Sequence, residues 1–175
     1  MPKDRYIEYR VQTAVQEGGG FDVLTMGRPE GPGCYCYVNN ALRNVMDTLI
    51  KDYDYIIIDN EAGLEHLSRR TTRQADTLLV VSDATRVGLA AARRIRELAK
   101  ELGLKTKKNL LVVNRCNQDP AKETLAGMGL EYLGCIRTDE QIAALSLKGD
   151  PLWDLKDDAA SLTSLRTLGE TVWQN

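Results

Sequence analysis

The chain has 175 residues, a length that predicts one domain and leaves no room for a second sizeable core. Its hydrophobic content of 43% is ordinary for a globular protein, and its formal charge of -2 gives no support to non-specific binding of nucleic acid or of an anionic membrane. No apolar run approaches the roughly 18 residues of a membrane span, and the first residues are no secretory signal. We therefore expect a cytoplasmic protein with no nucleic-acid or membrane partner.

Five short β-branched or apolar runs predict strands, and longer helical patterns separate them. The runs lie at 21–26, 55–58, 77–81, 110–113 and 132–136. Those at 55–58 and 77–81 are continuously apolar, which is typical of strands covered on both faces. The sequence therefore predicts an α/β fold, with a mainly parallel sheet covered by helices on both faces.

Apolar residues at helical spacing predict a helix over 89–102 and a last helix that starts at residue 157 or 158. Asp83 or Thr85 is the expected N-cap of the first of these helices, and Gly103 is its expected C-terminal stop. The charges of that helix have mixed signs and lie largely off its apolar stripe, which is typical of a solvent-exposed face.

A carboxylate, Asp59, directly follows the predicted strand at 55–58. In a parallel α/β sheet, ligands bind beyond the carboxyl ends of the strands, so Asp59 is expected in the binding crevice. A carboxylate there can hold Mg²⁺, and Gly63 would let a backbone N–H approach a phosphate without a Cβ in the way. An Asp that only caps the following turn explains the same pattern.

Two of the four cysteines, Cys34 and Cys36, are one residue apart and follow a Gly-Pro-Gly turn. Two thiolates at this spacing supply half of a four-coordinate metal site, and a second copy of the chain would supply the other half. A semi-buried pair or an adventitious disulfide is the alternative. Cys116 and Cys135 lie beside or inside predicted strands and are most simply buried small hydrophobes. Four cysteines at these uneven spacings are too few for a disulfide framework.

Several segments, in order, resemble the deviant P-loop ATPases, the group that holds MinD, ParA and the nitrogenase iron protein. The stretch 55–63 resembles the Walker B and switch II region, and 78–102 resembles the strand and helix that follow it. The stretch 111–115 resembles the strand whose terminal Asn reads the adenine edge, and 136–142 resembles the loop that closes over the base. The resemblance implies ATP or ADP with Mg²⁺ as cofactor.

Within the stretches 111–115 and 136–142, the resemblance implies that Asn114, Arg115 and Asp139 bind the nucleotide. An Asn amide suits adenine because it offers one donor and one acceptor. An Asn at a strand end is otherwise a common turn residue.

The Gly-Pro-Gly-Cys-x-Cys run, placed upstream of 59–71, closely resembles the carbon monoxide dehydrogenase maturation ATPases of the CooC type. That family couples ATP hydrolysis and dimerisation to nickel insertion into the dehydrogenase. The resemblance covers roughly residues 21–157 and implies a homodimer with Ni²⁺ or Zn²⁺ at an intersubunit site, and carbon monoxide dehydrogenase as partner. By position it assigns the metal to Cys34 and Cys36, a catalytic magnesium site to Asp59, and γ-phosphate sensing to Gly63.

The sequence departs from this family in one respect, since it contains no Gly-rich loop followed by Lys and Ser or Thr. The only Gly cluster, 18–20, leads into a predicted strand rather than a helix. We therefore expect one domain over 1–175 that corresponds to the later two-thirds of such an ATPase and hydrolyses no appreciable ATP alone. The alternatives are a non-enzymatic metal-binding dimerisation module and an iron–sulfur scaffold or MinD/ParA-type relative.

Overall fold

The computed structural model describes residues 3–25, 50–60 and 74–173. The chain divides into two compact units, Met1–Arg73 and Gln74–Asn175. The single domain expected over 1–175 stays a prediction. In the described ranges, no helix combines the length and the apolar character that crossing a bilayer requires.

Among its described residues, the first unit contains a small antiparallel hairpin and no strand of a parallel sheet. Its described elements are helix α1 (Lys3–Gln12), strands β1 (Val15–Glu17) and β2 (Asp22–Leu24), and a 3-10 turn (Ile50–Asp52). The Gly cluster forms the reversal, where the Gly18 N–H donates to the Phe21 carbonyl at 2.9 Å. Gly20 has φ +103°, which residues with a Cβ rarely adopt, so this cluster turns the chain and the run predicted at 21–26 becomes a hairpin strand.

The run at 55–58 does not form the buried strand that its apolar sequence predicts. These residues belong to no strand among the described residues, and their side chains are exposed, with Tyr55 at 67% and Ile57 at 79%. A continuously apolar run becomes a buried strand only where neighbouring strands and covering layers surround it. The described residues supply no such neighbours, so the prediction is wrong for this part of the chain.

The second unit contains a three-stranded parallel sheet flanked by helices, as the sequence predicts. The strand order is β3-β4-β5, so β4 is central. The runs predicted at 77–81, 110–113 and 132–136 each lie within one of these strands. The strands are β3 (Gln74–Ser82), β4 (Lys105–Cys116) and β5 (Glu131–Arg137), and the helices are α2 (Arg86–Glu101), α3 (Lys122–Leu125), α4 (Glu140–Lys148) and α5 (Ala160–Trp173).

The core of this unit lies around β4. Leu111 and Val113 are buried and belong to the same apolar cluster as Leu89 and Ala92 of α2. All four residues 110–113 are buried, so β4 is covered on both faces. Strand β3 differs from the prediction, because Val80 is buried while its neighbours on the other face, Leu79 and Val81, are 47% and 54% exposed. Strand β3 is an edge of the described sheet, and α2 packs against the buried face only.

The ends of α2 confirm the predicted caps. The Thr85 side chain accepts a hydrogen bond from the Gly88 N–H, and the Asp83 carboxylate accepts one from the Thr85 N–H at 2.9 Å. At the other end Gly103 takes φ +75° and its N–H donates to the Lys100 carbonyl. Helix α5 begins at Ala160, after the predicted start at 157 or 158, because a tertiary contact described below holds its first turn.

Gly134 sets how closely α5 approaches β5. A Cβ added at Gly134 would lie 2.5 Å from Leu168 Cδ2, and the residue has φ +154°. We expect Gly134→Ala to lower the free energy of unfolding by about 1–3 kcal/mol, as overpacking does. The matched control is Gly169→Ala on α5, where a Cβ would meet only ordinary contacts. Because Ala is the better helix former, Gly169→Ala should raise stability by about 0.5–1 kcal/mol. Equal effects of the two changes in urea unfolding would contradict this account.

Candidate functional site

Polar side chains gather where the three parallel strands of the second unit end. Asp83 follows β3, Asn114 and Arg115 lie at the end of β4, and Asp139 follows β5. The register sets these ends side by side, because Ser82 pairs with Val113, and Asn114 pairs with Ile136. Ligands of parallel α/β sheets bind at this edge, so it is the candidate site.

Strand β4 is irregular at its end. Asn114 pairs with Ile136 and Cys116 pairs with Arg137, which leaves Arg115 as an extra residue at a register shift. Arg115 has φ +54° and is the one residue other than glycine with a positive φ in the described ranges. Its N–H donates to the Asn114 side-chain oxygen at 2.9 Å. Strained backbone of this kind persists where the surroundings hold it, often at binding sites.

Asp83 brings a negative charge to the same edge. Its Oδ1 accepts hydrogen bonds from the Thr85 hydroxyl and the Thr85 N–H, at 2.5 and 2.9 Å. These bonds, with the charge of Arg115, hold the pKa of Asp83 below its ordinary value. The sequence predicts Asp83 only as a helix cap. Its position just beyond an apolar run, from which Ser82 alone separates it, is the signal that marks it as a site residue.

Asp139 connects the end of β5 to the starts of two helices. Its carboxylate accepts from the Gln141 N–H of α4 at 2.9 Å, and from the Ser161 N–H and hydroxyl of α5 at 2.9 and 2.8 Å. Ser161 is buried, and its hydrogen bonds are the main cause of the lowered pKa of Asp139. This contact fixes the first turn of α5, which explains why the helix starts later than predicted.

Two cysteines meet behind the strand ends. Cys116 and Cys135 are both buried and are joined as a disulfide, with their Cα atoms 6.2 Å apart. The Asp119 carboxylate lies beside them, within 4.8 Å of both sulfurs. The sequence predicts the burial of these cysteines, which is confirmed, but not their pairing. They are separated by 19 residues, and only the pairing of β4 with β5 brings them together.

Asp119 is itself held by side chains of β5. It accepts a hydrogen bond from the Tyr132 hydroxyl at 2.6 Å, and Arg137 Nη2 lies 3.5 Å from its Oδ2. Burial and the hydrogen bond to Asp119 raise the pKa of Tyr132. Arg137 also donates to the Asn117 carbonyl at 2.8 Å. The loop after β4 is therefore attached to β5 through three side-chain contacts.

The other predicted site residues belong to the first unit of the chain. Asp59 is described and exposed, and it belongs to the first unit. Gly63, Cys34 and Cys36 lie outside the described residues. The magnesium, γ-phosphate and metal roles of these four positions therefore stay predictions.

Comparison with known proteins decides the family. No protein-family model matches the chain. The uncharacterized ATP-binding protein MJ0685 of Methanocaldococcus jannaschii is 41% identical over 177 residues, which span 98% of this chain and 69% of that protein. The chain therefore belongs to the family of this ATP-binding protein. The expected resemblance to ATP-binding proteins of the MinD group is supported at the level of the fold.

Two further comparisons define what this membership includes. The crystal structure of the cell division ATPase MinD from Pyrococcus furiosus matches with a TM-score of 0.68 at 22% identity, over 98% of this chain and 74% of that one, which shows the same fold. The carbon monoxide dehydrogenase accessory protein CooC of Rhodospirillum rubrum is 36% identical over 90 residues, which span 50% of this chain and 34% of CooC. The MinD-like fold is thus shown, and the CooC type is a narrower assignment.

The Asp139 contact predicts how stability depends on pH. Because its folded pKa lies below the ordinary value of 3.8, the contact stabilises the fold above that value and is lost as pH falls through the folded pKa. We expect Asp139→Asn to lower the Tm at neutral pH and to flatten the fall of Tm as the pH drops below about 4.

The control for this change is Asp76→Asn. Asp76 also has a lowered pKa, from an exposed contact to Lys107 at 2.6 Å. Salt screens an exposed ion pair, and the Debye length is about 3 Å in 1 M salt. The effect of Asp76→Asn on the Tm should therefore vanish in 1 M salt, while the effect of Asp139→Asn should remain. A pH profile of Asp139→Asn identical to that of the native chain would contradict the role of Asp139.

Proposed function

We propose that this chain provides the base-binding part of the nucleotide site of a MinD-like ATPase. The observation that carries the proposal is the end of β4, where Asn114 is followed by the left-handed Arg115 at the carboxyl edge of a parallel sheet. This is the edge where ligands of such sheets bind, and the chain is related over nearly its whole length to a protein named for binding ATP.

The chemistry of Asn114 suits adenine. The Arg115 N–H occupies one lone pair of the Asn114 side-chain oxygen, and an amide oxygen has a second. That lone pair and the amide N–H group match the donor and the acceptor on one edge of adenine. The hydrogen bond from Arg115 also fixes the orientation of the amide, so the side chain is already positioned for the base.

The neighbouring charges fit supporting roles. Arg115 is exposed, and a planar guanidinium at this position can stack on a base or contact a sugar oxygen. Asp83 contributes to holding Arg115 by its charge. Asp139 acts as a positioning residue for the loop that follows β5, since its carboxylate connects that loop to α4 and α5. Asp59 offers a carboxylate, which is a ligand that suits Mg²⁺. A bound Mg²⁺ would neutralise phosphate charge.

Binding of the base tests this proposal. Asn114→Ala removes one donor and one acceptor, and we expect it to weaken ADP and ATP binding about tenfold, as loss of a paired amide contact to a base does. Isothermal titration of the purified chain is the measurement. Asn109→Ala is the matched control, because Asn109 is an amide on the same strand and lies five residues from Asn114. Unchanged affinity in Asn114→Ala, or an equal loss in Asn109→Ala, would remove the proposed role.

We propose further that the client chemistry of this ATPase is that of the CooC type, with nickel insertion into carbon monoxide dehydrogenase. Support comes from the 36% identity to CooC over 90 residues and from the Cys-x-Cys run after a Gly-Pro-Gly turn. Cys34 and Cys36 would hold Ni²⁺ or Zn²⁺ between two copies of the chain, because two thiolates fill only half of a four-coordinate site.

Metal stoichiometry tests this narrower proposal. Under reducing conditions, we expect one Ni²⁺ or Zn²⁺ ion per two chains, and we expect Cys34→Ser to abolish binding and dimerisation together. The control variant, Cys116→Ala with Cys135→Ala, should keep that stoichiometry. One ion per chain, an iron–sulfur chromophore, or retained binding in Cys34→Ser would contradict the intersubunit site.

A further inference from the structure

The pair Cys116 and Cys135 forms a covalent connection that neither nucleotide binding nor metal binding explains. The two residues belong to neighbouring parallel strands, and their Cα separation of 6.2 Å lies within the range that a disulfide needs. Both cysteines are buried, at 3% and 8% exposure. Two thiols so placed require no backbone movement to form or break the bond.

The two cysteines differ in access. Cys135 lines a cavity of about 540 Å³ between β5 and α5, and Cys116 does not. Asp119, Arg137 and Ser164 line the same cavity. Both cysteines belong to the apolar cluster of the sheet, and Cys135 is the one that also borders this cavity. A reagent of low molecular weight that approaches the pair from the cavity therefore meets Cys135 first.

The position of Cys116 connects the pair to the base site. Cys116 is the last residue of β4 and follows the extra residue Arg115 directly. The segment Asn114–Arg115 is therefore held on its far side by the sulfur–sulfur bond to β5. When the bond is reduced, this anchor is lost and the strained turn at Arg115 has one fewer constraint.

We propose that Cys116 and Cys135 are a thiol–disulfide exchange site, with a low-molecular-weight disulfide as the oxidant, and that its oxidation strengthens nucleotide binding. The Cys135 thiolate attacks one sulfur of the oxidant RSSR, forming a mixed disulfide and releasing one thiolate RS⁻. The Cys116 thiolate then attacks the Cys135 sulfur, forming the intramolecular disulfide and releasing the second RS⁻. Two protein thiols are oxidised and one RSSR is reduced to two RSH, the two thiol protons going to the released thiolates. The second half of the proposal rests on the proposed nucleotide site.

The chain holds two other thiols, so the test uses a background with Cys34→Ser and Cys36→Ser, which leaves only the pair. The protein is equilibrated with glutathione and glutathione disulfide, acid-quenched, denatured and labelled with a maleimide. We expect two labels per chain in reduced buffer and none in oxidised buffer, without formation of covalent dimers. Two labels in both buffers, or covalent dimers, would overturn the exchange site.

Single variants in the same background test the asymmetry. Cys116→Ala should trap the mixed disulfide with glutathione at Cys135, visible as one added glutathione by mass spectrometry. Cys135→Ala should trap almost none, because Cys116 does not reach the cavity. Cys116→Ser and Cys135→Ser repeat the comparison with a different side chain in case an alanine variant folds poorly. Equal trapping in both single variants, or the reverse order, would contradict the assigned roles.

Nucleotide titration of the reduced and oxidised background tests the coupling. We expect ADP to bind about fivefold more tightly to the oxidised form, a coupling at the low end of those found between linked sites. Equal ADP affinities of the reduced and oxidised forms would overturn the coupling. The labelling results would still decide whether the two cysteines form an exchange site. If neither form binds ADP, the proposed nucleotide site fails and the coupling fails with it, but the thiol results are unaffected.

Discussion

The parallel pairing of β4 between β3 and β5 is the constraint on which the rest of the second unit depends. Because all three strands run in one direction, their carboxyl ends meet at one edge, and every residue discussed as a base-binding group lies there. The apolar run 110–113 makes β4 the central strand, since it is buried on both faces. The position of Asn114 is therefore a consequence of the buried residues just before it.

The regular sheet makes the irregular end of β4 informative. A residue with φ near +54° and a full side chain is unfavourable by itself, and one hydrogen bond from Arg115 to the Asn114 side chain offsets only part of that. The bond from Cys116 to β5 adds a second constraint on the chain there, and Asp83 places an opposite charge at the same edge. Strain that several independent contacts maintain is more readily explained by function than by packing.

Whether the sequence can predict a feature of this fold depends on how far apart along the chain the interacting residues lie. The strand at 110–113 and the caps at Thr85 and Gly103 depend on residues within a few positions of each other, and the structure confirms them. The prediction of a strand at 55–58 is wrong for the opposite reason, since a strand requires hydrogen-bonding neighbours that its own sequence does not contain.

The features of the candidate site fall into the same two classes, those set by nearby residues and those set by distant ones. Its location after the strands is predictable, because apolar runs that end in polar residues are a local signal. The pairing of Cys116 with Cys135 and the hydrogen bonds that Ser161 donates to Asp139 are not, because each joins residues 19 or more positions apart. The late start of α5 belongs to this second class, since a contact from another loop fixes its first turn.

Residues that contact the base and residues that contact the transferring phosphate contribute to different steps. Contacts to a base are the same before and during phosphoryl transfer, so they contribute to affinity and leave the rate of the chemical step unchanged. The rate depends on groups that neutralise the transferring phosphate, and no loop of the 175-residue sequence combines glycines with the Lys that does so in this group. In the proposed role, Asn114, Arg115 and their supports would therefore contribute to the affinity for adenine and not to the rate of the chemical step. A variant of Asn114 in an assembly that does hydrolyse ATP should for this reason change KM far more than kcat.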